Sequence, residues 1–255
     1  MWAGRGDDRG MSDATRGDDG SVGDGLAGLP AELPHVPYER WDPGVEPEEG
    51  ARRFYEVMDR RRSCRFFSDR PVSRATIEWC VRAAGTAPSG AHKQPWRFVC
   101  VRDAGLKREI RLAAEAEERE FYERRASERW LRDLAPLGTD ASKPYLETAP
   151  WLVVVFALAK TDEGGQVYYR EESVGIACGM LISAVQHAGL VTLTHTPSPM
   201  KFLGEVLGRP GHERPFLLLP VGYPSADATV PELERKGLGE IMVVDRGEGE
   251  GEGEA

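Results

Sequence analysis

The chain has 255 residues, 40% of them hydrophobic, which is enough to bury one large core, and its formal charge is −9. Most of that charge sits at the ends: residues 1–35 hold three Arg against seven acids and residues 246–255 one Arg against four Glu, leaving the body at −2. A nearly neutral body excludes a clustered basic groove for nucleic acid, and no apolar run approaches the roughly 20 residues of a membrane span. The cysteines, Cys64, Cys80, Cys100 and Cys178, show no Cys-x-x-Cys spacing and no His in ligand register. No metal site follows, and they read as reduced, mostly buried thiols of a cytoplasmic protein.

In chain order, residues 1–35 are rich in Gly and Asp and are expected to be disordered, as are residues 246–255, which leaves 36–245 as the folded domain. Met11 is an alternative start, and the two Arg-Gly-Asp triplets in so biased a tail carry no adhesion signal. From Pro47 the pattern turns helical through Phe54, Val57 and Met58, ending in the run Arg60-Arg61-Arg62-Ser63-Cys64-Arg65. That run suits a phosphate, since guanidinium forks and a hydroxyl match its oxygens; it equally suits a solvated basic helix end. Ser73 caps a second helix with Ile77, Cys80, Val81 and Ala84 on one face.

Residues 85–96, Gly-Thr-Ala-Pro-Ser-Gly-Ala-His-Lys-Gln-Pro-Trp, then form a loop around which the chain is organised. Pro88, Ser89 and Gly90 supply a fixed φ, a hydroxyl and a residue without Cβ, so the N–H groups of Gly90 and Ala91 can approach a planar ligand. Trp96–Val101 reads as a strand, and residues 104–128 as a long charged helix that puts Glu118 and Tyr122 on one face. An acid on such a helix is ordinarily solvent-facing. Residues 129–146 look like an irregular lid, and Trp151–Leu158 like a central strand buried on both faces. Residues 171–189 form a helix apolar nearly all round and rich in small residues, which needs cover on every side. A strand over 190–196 ends in Thr194-His195-Thr196-Pro197, another runs over 216–222, and residues 228–244 read as an arm adding a strand elsewhere. Dinucleotide, P-loop, nucleophile-elbow and His-Glu-x-x-His motifs are missing.

Arg61-Arg62-Ser63-Cys64-Arg65, the Pro88-Ser89-Gly90-Ala91-His92 loop with Pro95-Trp96, and Val221-Gly222-Tyr223-Pro224 together resemble the flavin-dependent nitroreductase superfamily. Glu118, Tyr122, Arg129-Trp130, Lys143, Thr148-Ala149-Pro150, Thr196-Pro197 and Ala228-Thr229-Val230-Pro231 are similar to its halotyrosine-dehalogenating branch. The resemblance covers about residues 54–244. It implies an α+β, nitroreductase-like fold with a central mixed β-sheet flanked by helices, in a domain-swapped, intertwined homodimer with FMN at the subunit interface.

By matching positions, the resemblance assigns FMN contacts to Arg61, Arg62, Ser63, Cys64, Arg65, Ser89, Gly90, Thr194, His195, Thr196 and Arg235. The resemblance implies that Thr196 is the catalytic hydroxyl, donating to the flavin N5 and permitting single-electron chemistry. Glu118, Tyr122 and Lys143 are implied to hold the substrate zwitterion, and the Ala91 N–H its phenolate. The activity implied is reductive dehalogenation of halotyrosines, with electrons from NAD(P)H directly or through a reductase. A general nitro or quinone reductase of the same fold, and a non-catalytic halotyrosine or flavin sensor, are the alternatives. His195 departs from the threonine expected between two threonines, and the acidic, unanchored amino terminus departs from membrane-anchored relatives.

Overall fold

The computed structural model describes residues 33–245. The expectations for the two tails and for Met11 lie outside them, apart from residues 33–35, which are exposed and irregular. The chain divides into two compact units, one ending at Phe54 and the other beginning at Tyr55. In the first unit residues 33–43 have no regular structure, and Leu33, Val36, Tyr38 and Trp41 are exposed. Helix α1, Pro47–Asp59, runs across the division.

The second unit holds a four-stranded sheet in the order β1-β2-β4-β3: β1 Trp96–Val101, β2 Trp151–Leu158, β3 Val191–Thr192 and β4 Glu213–Gly222. All three strand pairings are antiparallel. The parallel component is a single bridge, Ser63 to Thr192. β2 is buried at all eight positions, as its run of valines requires of a strand covered on both faces. Its alternate residues divide the core: Trp151, Val153, Val155 and Ala157 face one cluster, and Leu152, Val154 and Phe156 the other.

Helices α2, Arg74–Gly85, and α6, Arg170–His187, cover the first face. The Ser73 hydroxyl accepts from the Thr76 N–H at 3.1 Å and caps α2, whose Ile77, Cys80 and Ala84 point inward. The second face is covered by α3, Ala104–Glu120; α5, Tyr145–Thr148; and α7, Lys201–Val206. α3 starts at an Asp103 cap and buries Lys107, Ile110, Ala114 and Glu115. Two charges on that stripe are tolerable because each is satisfied: Lys107 Nζ donates to the carbonyls of Glu147 and Ala149, and a Glu115 oxygen accepts from the Lys143 N–H at 2.7 Å. These bonds tie the 143–149 segment to α3.

Several elements differ from the sequence reading. The α-helix expected through residue 128 ends at Glu120 and passes into a π-turn, Phe121–Arg125. The expected irregular lid contains α4, Glu128–Leu134, capped by Ser127, and α5. The strand expected over 190–196 pairs at only two residues before His195 makes an isolated bridge to Leu218. The cysteines are mostly buried as expected, Cys64, Cys80 and Cys178 inside and Cys100 exposed. The terminal apolar run forms no strand; α8, Leu238–Ile241, takes its start, and Met242, Val243 and Val244 stay exposed.

Candidate active site

One end of the sheet gathers most of the candidate residues. Beyond α1 the arginine segment lies along β3, with the Ser63–Thr192 bridge and a Cys64 N–H to Thr192 carbonyl bond of 3.3 Å. Bonds of Ser68 to Tyr223 and Ser225 to Phe66 continue the contact. This places residues 61–65 beside the strand that leads into Thr194, His195 and Thr196.

Arg62 donates to the Pro231 carbonyl, which holds the carboxy-terminal arm against the segment. Arg235 is exposed; its guanidinium binds Asp59 at 2.8 Å and the Arg61 carbonyl at 2.8 Å. Burial, with Arg235 and Arg62 nearby, lowers the pKa of Arg61. The Cys64 thiol is buried, donates to the Phe66 carbonyl and is pushed up by burial, which leaves it inert.

Glu118, Tyr122 and Lys143 converge at the same end. A π-turn widens the helix just after Glu118 and re-aims Tyr122, a device found often at functional sites. Lys143, which local sequence marks as a surface lysine, is only 3% exposed, and its Nζ lies 3.4 Å from a Glu118 oxygen. Nζ also donates to Thr139 Oγ1 at 3.2 Å and to the Asp140 carbonyl, and it sits 5.8 Å from the centre of the Tyr122 ring. Tyr122 donates its hydroxyl to the Thr139 carbonyl at 3.1 Å. Burial raises the pKa of Glu118 and lowers that of Lys143, and the attraction between them opposes both shifts. Lys143 is buried and Glu118 largely so, and a pair of opposite charges short of full solvation has the chemistry to meet a ligand carrying both signs.

His195 is 6% exposed, stacks edge-on against Tyr145 with ring centres 6.0 Å apart, and leaves Nε2 without a partner. Burial, then the positive charges of Lys143 and Arg65, push its pKa from 6.5 to about 3, so the ring is neutral. Arg65 thus reaches beyond the arginine segment: its charge is felt by Tyr122, Lys143, Tyr145 and His195. Neither this reach of Arg65 nor the part of Thr139 was legible in sequence, because both depend on contacts between distant segments.

Ser89, Gly90 and Ala91 lie elsewhere. Their loop leads into Trp96, which pairs with Ala157, whereas Thr192 pairs with Val221, which pairs with Trp151. Six residues of β2 separate the two positions, about 20 Å of strand. The loop is strained, with φ of 47° at Ala91, 53° at His92 and 47° at Gln94. Each such residue costs on the order of 1–2 kcal/mol, a strain characteristic of ligand-holding loops. Ser89 Oγ accepts from the Gln94 N–H at 2.9 Å, and the N–H groups of Gly90 and Ala91 have no acceptor among the described residues. The missing Cβ of Gly90 serves the protein's own packing: a methyl there would meet the Tyr168 carbonyl oxygen at 2.8 Å.

Asp162, His212 and Glu213 could group around a cation, but Arg97 and Arg209 already occupy both carboxylates. That cluster is an ion-pair network.

A sheet covered by helices on both faces, with a cationic segment along its edge strand, defines the class of fold found in a nitroreductase with bound FMN from Bacteroides fragilis (TM-score 0.58, 20% identity, 75% of this chain and 98% of that one). The chain belongs to the nitroreductase family, whose model matches residues 58–223. Among its relatives, the iodotyrosine deiodinase of Haliscomenobacter hydrossis is 55% identical over 206 residues, 78% of this chain and 93% of the relative. Iodotyrosine deiodinase 1 of Homo sapiens is 46% identical over 217 residues, 82% of this chain and 74% of the relative. The structure of an iodotyrosine deiodinase bound to FMN and 3-iodo-L-tyrosine matches with a TM-score of 0.65 and 31% identity, over 76% of this chain and 97% of that one. No helix among the described residues is long and apolar enough to cross a membrane.

Proposed function

We propose that this protein is an FMN-dependent oxidoreductase that removes halide from halotyrosines, consuming two electrons and one proton per halotyrosine to give tyrosine and halide. The observation that carries the reading is the buried Glu118–Lys143 pair beside Tyr122, a clamp for an amino-acid zwitterion for which a nitro or quinone reductase has no use. Glu118 takes the ammonium group, Lys143 and Tyr122 the carboxylate, and the Ala91 N–H the phenolate oxygen.

The donor set fits FMN. Arg61, Arg62 and Arg65 with Ser63 offer cationic and hydroxyl donors on one segment, Ser89 and Gly90 a hydroxyl and an acceptorless N–H, and buried His195 an unpartnered nitrogen. Thr194, His195 and Thr196 line the cofactor, with Thr196 donating its hydroxyl, while Cys64 contributes backbone and packing only. Arg235 joins the phosphate end once released from Asp59. When bound and reduced, FMN supplies the electrons that replace the carbon–halogen bond by carbon–hydrogen. Those electrons enter from NAD(P)H, directly or through a reductase.

The working form is a homodimer. Within one chain the loop bearing Ser89, Gly90 and Ala91 lies at the opposite end of the sheet from the clamp, so a complete site needs two copies. Two further features support this. Gly175 and Gly179 on α6 have nothing within 4 Å of where a Cβ would stand, while Ile176 beside them is 47% exposed. The apolar end of the arm is uncovered as well. Free cysteines throughout the described chain fit a reducing, cytoplasmic setting.

The test is anaerobic mixing of reduced holoenzyme with iodo-, bromo- and chlorotyrosine, following flavin reoxidation and halide release. Stoichiometric iodide from iodotyrosine is expected. Rapid turnover of nitroaromatics with no iodide would replace the reading by a general nitroreductase, and tight binding without reoxidation would make the protein a sensor.

A further inference from the structure

Three of the four oxygens that meet Tyr122 and Lys143 come from two adjacent residues, Thr139 and Asp140. Tyr122 gives its hydroxyl proton to the Thr139 carbonyl at 3.1 Å, and Lys143 Nζ donates to Thr139 Oγ1 at 3.2 Å and to the Asp140 carbonyl. With Glu118 at 3.4 Å, the three donors of the Lys143 ammonium are all engaged. The chain reaches this position through Gly138, at φ 58°, a left-handed turn that reverses the backbone after the short 3-10 turn Ala135–Leu137. Asp140 is held in turn by its own carboxylate, which accepts from the Ser142 N–H at 2.8 Å. A threonine between a helical turn and a buried lysine therefore links two groups from different elements, one on the π-turn and one before α5.

Resting on the dehalogenase reading, we infer that Thr139 is a positioning residue for substrate selection: its hydroxyl on Lys143 and its carbonyl on Tyr122 hold both in carboxylate-gripping order before a halotyrosine arrives. When the substrate enters, Glu118 exchanges Lys143 for the substrate ammonium, Lys143 turns the freed donor to the substrate carboxylate, and Tyr122 swings its one hydroxyl proton from the Thr139 carbonyl to the same carboxylate. The Thr139 hydroxyl contact to Lys143 remains and keeps that ammonium aimed. Without the hydroxyl, Nζ is one acceptor short in a buried setting and its aim is set by Glu118 and Asp140 alone.

The experiment compares wild-type holoenzyme with Thr139→Val, which removes the hydroxyl at constant shape, and Thr139→Ser, which keeps it. Affinity for 3-iodo-L-tyrosine and for 2-iodophenol is read from quenching of FMN fluorescence, with kcat and KM for the first. Thr139→Val is expected to weaken iodotyrosine binding about tenfold, raise KM and leave kcat and 2-iodophenol affinity within about twofold. Thr139→Ser should restore wild-type values. Equal weakening for both ligands, a fall confined to kcat, or no change would overturn the role of Thr139. If the wild type itself bound 2-iodophenol as tightly as iodotyrosine, the clamp reading would fail first, independently of Thr139.

Discussion

At the Trp151–Val221 end of the sheet, the arginine segment, the Thr194–Thr196 stretch and the clamp meet within a single chain, held by hydrogen bonds between segments far apart in sequence. At the Ala157–Arg214 end, Ser89, Gly90 and Ala91 stand on a strained loop with acceptorless N–H groups and none of those partners within reach. The first end pairs Arg62, Arg235, Glu118 and Lys143 with groups of the same chain; the second leaves the N–H groups of Gly90 and Ala91 without an acceptor among the described residues. Residues that the proposed function assigns to one cofactor and substrate are thus divided between two places in the chain, and the proposed homodimer is what would bring them together.

The largest effect that would break this contrast comes from complementation. A clamp variant, Glu118→Ala with Lys143→Ala, and a loop variant, Gly90→Val, are each expected to be inactive. Co-expressed, they should regain about a quarter of wild-type sites, since half the dimers are mixed and each mixed dimer has one intact site of two. Mixed dimers that form but stay inactive would mean that loop and clamp serve the same chain.

The clamp end is sharpened by Lys143→Gln, which should weaken iodotyrosine binding by about 1.5–3 kcal/mol, the value of a charge-assisted hydrogen bond, and leave a simple halophenol nearly unaffected. Calorimetric titration with both ligands decides it. Equal losses would show that Lys143 supports the fold and not the substrate.

An effect read on stability and not on binding concerns His195, which packs edge-on against Tyr145, bridges to Leu218 of β4 and feels the charges of Lys143 and Arg65. Its folded pKa of about 3 lies below the ordinary 6.5, so the unfolded chain takes up a proton that the native ring refuses. Stability from this group is complete above pH 6.5 and is lost as the pH falls towards 3. The slope is at most about 1.4 kcal/mol per pH unit. Urea denaturation between pH 7 and 4 should show a shallower acid slope for His195→Thr than for wild type; equal slopes would mean that the ring is protonated in the native state.

Much of the frame was legible in the sequence. Valine-rich β2, the Ser73 cap and the amphipathic pattern of α2 are local signals, and a structure built on them kept them. The expectation that α6 is covered on every side is not met within the described chain: Val174, Ala177, Cys178, Leu181 and Val185 are buried, while Gly175, Ile176 and Gly179 are exposed. The motif residues were legible as types: an arginine run, a Pro-Ser-Gly loop, an acid and a tyrosine four apart.

What the tertiary structure decided was which of these types meet. The π-turn after Glu118 costs a regular helical hydrogen-bond pattern and has no local signature, and it is what brings Tyr122 to Thr139. Lys143 goes inward because Glu115 holds its backbone and Glu118 its side chain, partners 28 and 25 residues away. The glycine at 90 was readable as a place for close approach; that the approaching group is the Tyr168 carbonyl was not. Local patterning sets which face of an element is apolar, since that depends on neighbours a few residues away. The meeting of charges depends on how far separated segments are brought together when both faces of the sheet are buried.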